Sequence, residues 1–448
     1  MTPTAFLASL ILVLGPLGAQ PVLPIGDDTL ALQAQIDSLS PGGTLLLEAR
    51  TYHFQGLRIP RSVIVMGRGE RRTVCVRTAA SPFFNVTGHS SEVSILQMTL
   101  DGGSLAASGI NAYGVKTLRL QDLRVTNCGL PPSGSLASDR LGRPIDGIWA
   151  GNVDRAVVDH CLLESNARDG FLGVPVRHLF FTRNVCRGNG RMGCTSDLDP
   201  EGRTGGPLEV VYRDNEVSNC GTGGLHVESA KKWPLVDATF ERNRVSGVGN
   251  RDWGYSWGLV MGENCQGTFR GNTVTRTGTK SSLKDYRDGI LVTRPGGPVL
   301  IEANTVRDSG RVGISVSESS SQVILRNNQV LNSGAAGLET YMLANLLIEG
   351  CTVEDGAMMG FWCRLCPSAL IQGNRFQGNS RESPGKYPGA HVEASPNIRF
   401  KGNDLGGLPQ SLGLELGLNA LGLLTHLEGN TFEGRRSHPH LTSFSTSN

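Results

Sequence analysis

An asparagine returns along this chain at nearly regular intervals, and each return is followed by a glycine that opens a short alternating apolar segment. Asn184, Asn215, Asn243, Asn272, Asn304, Asn328, Asn374, Asn403 and Asn430 step by 31, 28, 29, 32, 24, 46, 29 and 27 residues, the 46 being two repeats with Cys351 midway. The glycine segments include Asp146-Gly147-Ile148, Asp169-Gly170-Phe171, Gly224-Leu225-His226-Val227, Gly258-Leu259-Val260-Met261, Asp288-Gly289-Ile290-Leu291, Gly313-Ile314-Ser315-Val316 and Gly389-Ala390-His391-Val392. Strands this short cannot bury a face alone. Coiling the chain so that each lies on its equivalent one turn later supplies parallel partners and one continuous core. The repeat predicts an all-β fold, a parallel β-helix.

Asparagine has a mechanism in such a coil. It tolerates the left-handed backbone region of a tight turn, and amides stacked turn upon turn satisfy one another inside the solenoid. Glycine relaxes the corners where coils come close. A leucine-rich repeat would need denser leucines, and a helical solenoid would need a sustained 3.6-residue period that is absent.

Hydrophobic residues at 39% are enough for a core in a 448-residue chain, which excludes global disorder. A formal charge of +2 offers no field to gather nucleic acid, so an anionic ligand must meet a local patch. Met1–Gln20 is apolar, lacks charge and ends in small residues, as a signal peptide does, so a secreted or periplasmic protein is expected. No later apolar run is long enough to span a bilayer. The β-helix is expected over residues 21–434, with a tail at 435–448. Ten dispersed cysteines suit one or two disulfides after export or small buried apolar groups, and the lone Cys363-x-x-Cys366 is not a zinc pattern.

Asp27-Asp28-Thr29-Leu30-Ala31-Leu32-Gln33-Ala34-Gln35-Ile36-Asp37, Pro41-Gly42-Gly43-Thr44-Leu45-Leu46-Leu47, Thr51-Tyr52-His53-Phe54 and Gly67-Arg68-Gly69 resemble the opening of the pectate-lyase-like right-handed parallel β-helix superfamily. With the repeats, the resemblance covers Asp27 to about Gly434. It implies a right-handed coil and a short capping helix over Asp27–Leu39. Members include polysaccharide lyases, hydrolases, uronan C5-epimerases and non-catalytic adhesins, so it implies carbohydrate chemistry without choosing the reaction. Asp199-Pro200-Glu201 is similar to the Asp-Pro-His element of mannuronan C5-epimerases, with Glu201 where that element has histidine.

Lengthened turns on one flank build a groove, and they cluster around residues 129–288. In each glycine segment the residue after glycine points inward and the next outward. Leu225 and Val227 are therefore core, while His226 and Glu228 join outward columns with Trp149, Leu172, Val260, Gly262, Ser315, Ser317, Glu339, Tyr341, Trp362 and His391. Trp149, Tyr341, Trp253, Tyr255 and Trp257 are candidate sugar platforms or a second apolar cluster under the turns.

Asp199, His226, Lys284 and Arg287 are the candidate catalytic residues, with Asp169 and Arg294 as polar substrate contacts. Cations such as Arg287 or Arg294 can neutralise a uronate carboxylate, which acidifies its C5 proton for a base such as His226 or Lys284. Calcium is a possible helper, with Asp197, Asp199 and Glu228 as oxygen ligands, although no fixed-spacing calcium motif is present. The expected partner is an acidic polysaccharide or oligosaccharide, met by a monomer, and β-elimination is the leading reaction. Epimerisation, hydrolysis and binding without catalysis stay open. Rossmann, P-loop and serine-hydrolase signatures are absent.

Overall fold

The structure is a computed structural model that describes residues 26–89, 91–129, 145–198, 205–251, 255–278, 287–417 and 426–432. The helix Thr29–Ser38 buries Leu32 and Ile36 in the same core as the first coils, as the resemblance implied. Asp27 accepts the amide proton of Thr29 at its start. Every other regular element among the described residues is a β-strand, and every strand pairing is parallel to an equivalent strand one coil away.

The coil has three sheets. The first contains Ile110–Tyr113, Met192–Ser196, Gly223–Val227, Ser256–Met261, Arg287–Thr293 and Phe361–Arg364. The second contains Glu209–Arg213, Val236–Glu241, Cys265–Arg270 and Val299–Glu302. The third contains Val185–Arg187, Glu216–Ser218, Arg244–Ser246 and Thr273–Thr277. Long strands such as Ile148–Asp159 and Ile314–Arg326 run from the first sheet into the second. Inward residues form one core that contains an aromatic file, Phe181, Tyr212, Phe240 and Phe269, with successive ring centroids 6.2, 5.0 and 4.3 Å apart.

The repeating asparagines stack as expected. Asn272 Nδ2 donates to Asn304 Oδ1 at 2.8 Å and to the Phe240 carbonyl at 2.9 Å. Its own Oδ1 accepts from the backbone and side-chain amides of Asn243. Cys161 and Cys351 occupy the same rung. Each backbone amide binds the next asparagine's Oδ1, and each thiol reaches the carbonyl one coil back, Leu120 or Leu325, at 3.6 Å. This corrects the expected disulfides. All ten cysteines are free and buried, and they serve as small core or ladder groups.

The glycine before each first-sheet strand is required by the coil above. A Cβ on Gly258, Gly289 or Gly313 would meet the carbonyl oxygen of the next equivalent glycine at 2.4, 2.6 or 2.6 Å.

The lengthened connections, expected on one flank, occur both in chain passing from the third sheet to the first and in chain passing from the first to the second. Residues 127–147, 247–255 and 278–286 enter that sheet from the third, while 197–208 and 228–235 leave it for the second.

Asn272→Ala would strand the Asn243 amides and the Phe240 carbonyl, each of which costs about 1–3 kcal/mol when buried without a partner. Urea unfolding should register a loss of at least about 2 kcal/mol. Asn328→Cys should cost less than Asn328→Ala, because a thiol already fills this rung at Cys351; equal losses would contradict the equivalence.

Candidate functional site

Two outward columns cross the first sheet. One runs Trp149, Leu172, Thr195, His226, Val260, Leu291, Ser315, Glu339, Trp362 and His391, each residue in register with the next. Two residues further along the strands, Thr293, Ser317, Tyr341 and Arg364 form the other. Asp197, Glu228 and Gly262 extend it, joined coil to coil by backbone hydrogen bonds from Asp197 to Gly173, Glu228 to Ser196 and Gly262 to Val227. The faces are those read from the alternation. From Thr195 to Glu339 they form the floor of a groove of about 750 Å³.

The chemical centre of the groove is Asp197, His226 and Glu228. His226 Nε2 stands 3.4 Å from Glu228 Oε2. Its backbone is fixed from beneath, where the fully buried Tyr212 hydroxyl donates to the His226 carbonyl at 2.6 Å. Gly262 makes room on the next coil, since a Cβ there would meet Glu228 Cγ at 2.9 Å and Cδ at 3.1 Å. Burial pushes the Asp197 carboxyl above the ordinary carboxylate range; His226 opposes that shift and Glu228 adds to it. Glu228 moves the other way, because the bond with His226 favours its ionised form over the opposing effect of burial. Two carboxyls on adjacent coils are thus driven apart, one toward the protonated state and one toward the charged state, with an imidazole that acts on both.

Tyr255 and Trp257 supply an aromatic wall, their rings stacked at 4.7 Å and 20°. Arg294 lies on the lining, 3.9 Å from Glu263. Tyr341 also lines the groove, with the Arg364 guanidinium 5.4 Å from its ring centroid.

Other candidate residues lie elsewhere. Asp169 is fully buried and does not reach the groove; it clamps Arg191, whose Nε is 2.7 Å from Oδ1, and accepts the Met192 amide proton. Burial alone would raise Asp169, but Arg191 overrides it and holds the carboxyl below its ordinary value. The groove meets Arg191 instead. Trp149 stands three coils from His226 and stacks on Tyr113 at 6.1 Å and 7°, outside the lining. Arg287 opens its strand beside Ser256 and is also outside the lining. Asp199, Lys284 and Trp253 lie outside the described residues.

Of the calcium candidates, Asp197 and Glu228 are neighbours. Among the described residues, however, no group of three or more His, Cys, Asp or Glu side chains is placed to hold a metal.

Sequence reasoning missed Arg191 and Arg311. Their signal was present: Arg168, Arg191 and Arg311 each follow an Asp-Gly aspartate, Asp146, Asp169 or Asp288, by one coil, and each forms an ion pair with it.

The family model described as "Right handed beta helix region" matches residues 257–432. The chain is a right-handed parallel β-helix. No curated protein matches it. Among solved structures, tailspike protein 3 of bacteriophage CBA120 aligns with 96% of this chain at 11% identity and a TM-score of 0.53, and the alignment covers 63% of that protein. The A-module of mannuronan C-5 epimerase AlgE4 from Azotobacter vinelandii aligns at 14% identity over 91% of each chain, with a TM-score of 0.45. The catalytic unit of a GH87 alpha-1,3-glucanase from Streptomyces thermodiastaticus aligns at 14% identity over 92% of this chain and 67% of its own, with a TM-score of 0.40. At these identities the likeness concerns the fold. No described helix of the β-helix protein is long and apolar enough to cross a membrane.

Replacing His226 by Leu should raise the pKa of Glu228 and raise that of Asp197 further, because the imidazole favours the ionised form of both. Carboxyl-carbon NMR titration of wild type and variant reads both shifts; unchanged values would show that His226 does not couple to them.

Proposed function

We propose that the protein is a carbohydrate-active enzyme that binds an acidic polysaccharide along the first sheet and cleaves it by β-elimination. The observation that carries this reading is the Asp197–His226–Glu228 cluster at the groove floor, with its opposed carboxyls and central imidazole. The aromatic wall of Tyr255 and Trp257 suits the apolar face of a sugar ring. The apolar leader Met1–Gln20 supports a secreted or periplasmic location, where such polymers are met.

In this reading the protonated Asp197 carboxyl donates a hydrogen bond to the uronate carboxylate and, with Arg294 nearby, disperses its charge. His226, held by Glu228, takes the C5 proton. The electron pair forms the C4–C5 double bond, the C4–oxygen bond breaks, and the departing oxygen is protonated from solvent. Glu228 stabilises the imidazolium that results.

Hydrolysis is the second reading, favoured by the carboxyl pair itself. Asp197 would be the acid, and Glu228 the base or nucleophile, of a glycosidase. One experiment separates the two. The purified protein is incubated with a panel of uronic-acid and neutral polysaccharides, with calcium or with a chelator, while ultraviolet absorbance and reducing ends are followed. A rise in both signals is expected on a uronic-acid polymer, since elimination leaves a conjugated unsaturated uronate. Reducing ends alone would move the assignment to hydrolysis, and silence in both would remove polymer cleavage.

His226→Gln should lower kcat by at least about a hundredfold, the usual contribution of a positioned general base. Activity should fall as pH rises through the elevated pKa of Asp197, because the neutral acid is the working form. Asp197→Asn should remove that alkaline limb from the pH profile; its persistence would assign the limb to another group.

A further inference from the structure

A second titratable cluster lies in the same groove, four register steps beyond His226. The path runs His226, Val260, Leu291, Ser315, Glu339. At about 4.8 Å per parallel strand the separation is about 19 Å, a span of several sugar units. Arg311 binds Asp288 through Nε at 2.8 Å and Nη2 at 3.0 Å, and the same Nη2 lies 3.0 Å from Glu339 Oε2. Ser315 Oγ donates to that oxygen at 3.3 Å. Among the described residues, Glu339 Oε1 enters no hydrogen bond, although Glu339 lines the groove.

The charge of this cluster selects its ligand. Arg311, together with Arg287 acting on Asp288 from outside the groove lining, faces two carboxyls, so no surplus positive charge is left for an anion. A sugar carboxylate here would meet Glu339. A sugar hydroxyl, by contrast, is a donor suited to the open oxygen. The floor between the clusters is apolar or small, at Val260, Leu291 and Ser315, and does not interrupt a chain lying along it.

We propose that Glu339, oriented by Arg311 and Ser315, forms a distal subsite that binds an uncharged sugar unit, through its hydroxyls, in a chain whose reacting uronate lies at His226. The substrate is then a heteropolysaccharide in which uronic acid and neutral sugars share one chain. This inference rests on the reading of the groove as a polysaccharide site.

The test uses Glu339→Gln, which keeps one oxygen for Arg311 and Ser315 and replaces the other with an amide donor. Values of kcat/KM are measured for wild type, Glu339→Gln and His226→Gln on oligosaccharides of increasing length, prepared from the polymer that the panel selects. Glu339→Gln should lose about tenfold more on the long chains than on the shortest, through KM, as expected for one hydrogen bond to a charged or partly charged group. His226→Gln should lose kcat at every length alike. A Glu339→Gln loss independent of length, or one confined to kcat, would overturn the subsite. So would a selected polymer made of uronic acid alone. If the wild type modifies none of the polymers, the proposed function falls. Dissociation constants for neutral and acidic oligosaccharides then decide the subsite separately, and no difference between wild type and Glu339→Gln would end it.

Discussion

A buried asparagine amide that can be satisfied only by the next coil holds the register of this molecule. Asn184, Asn215, Asn243, Asn272, Asn304 and Asn328 pass hydrogen bonds down the solenoid, side chain to side chain and side chain to backbone. A slip of one residue between coils would leave these polar groups unmatched and would turn every core valine of the neighbouring strands toward solvent. The ladder therefore does more than stabilise. It sets which residues share a column, and so decides that His226 and Glu228 face the groove while Leu225 and Val227 face the core.

With register held this tightly, variation is pushed into the corners. Long excursions leave both edges of the first sheet in the middle third, whereas later coils pass from Ile314 to Leu338 to Phe361 with little inserted chain. The groove arises because the floor stays regular while its margins lengthen. The Asp-Gly corners add a second regularity. Asp169 and Asp288 are sealed beneath Arg191 and Arg311, so a buried carboxylate on one coil places a cation on the next. Such pairs contribute little net stability once desolvation is counted, but they fix the direction of a long flexible side chain at the edge of a site.

Much of the fold was legible because it is periodic. The asparagine steps set the coil, and the alternation after each glycine set the faces, including the columns that carry Val260, Ser315, Glu339 and Tyr341. The site was legible only in part, for reasons of local environment. His226 and Glu228 stood out by residue type on an outward face. Asp169 has the same type, yet its burial under Arg191 is a property of two coils together and is invisible in either alone. Trp149 was placed on the correct column, but three coils from His226, where Tyr113 covers it. The cysteines misled because an expectation of export favours disulfides, whereas Cys161 and Cys351 are in effect shortened asparagines that offer a thiol to the same carbonyl.

The solenoid also holds the groups of the proposed acid–base site in fixed positions. His226 hangs from a strand paired on both sides, Asp197 and Glu228 each follow such a strand by one residue, and beneath His226 the Tyr212 hydroxyl locks the backbone from the core. Reorganisation on binding is then confined to side chains and to the excursions at the margins, which is the condition under which fixed dipoles and charges act most strongly on a reacting group. The spacing between the Asp197–His226–Glu228 and Asp288–Arg311–Glu339 clusters is inherited from the coil repeat rather than from any loop. A polymer lying on this face therefore meets two chemically different stations at a separation that the backbone itself enforces.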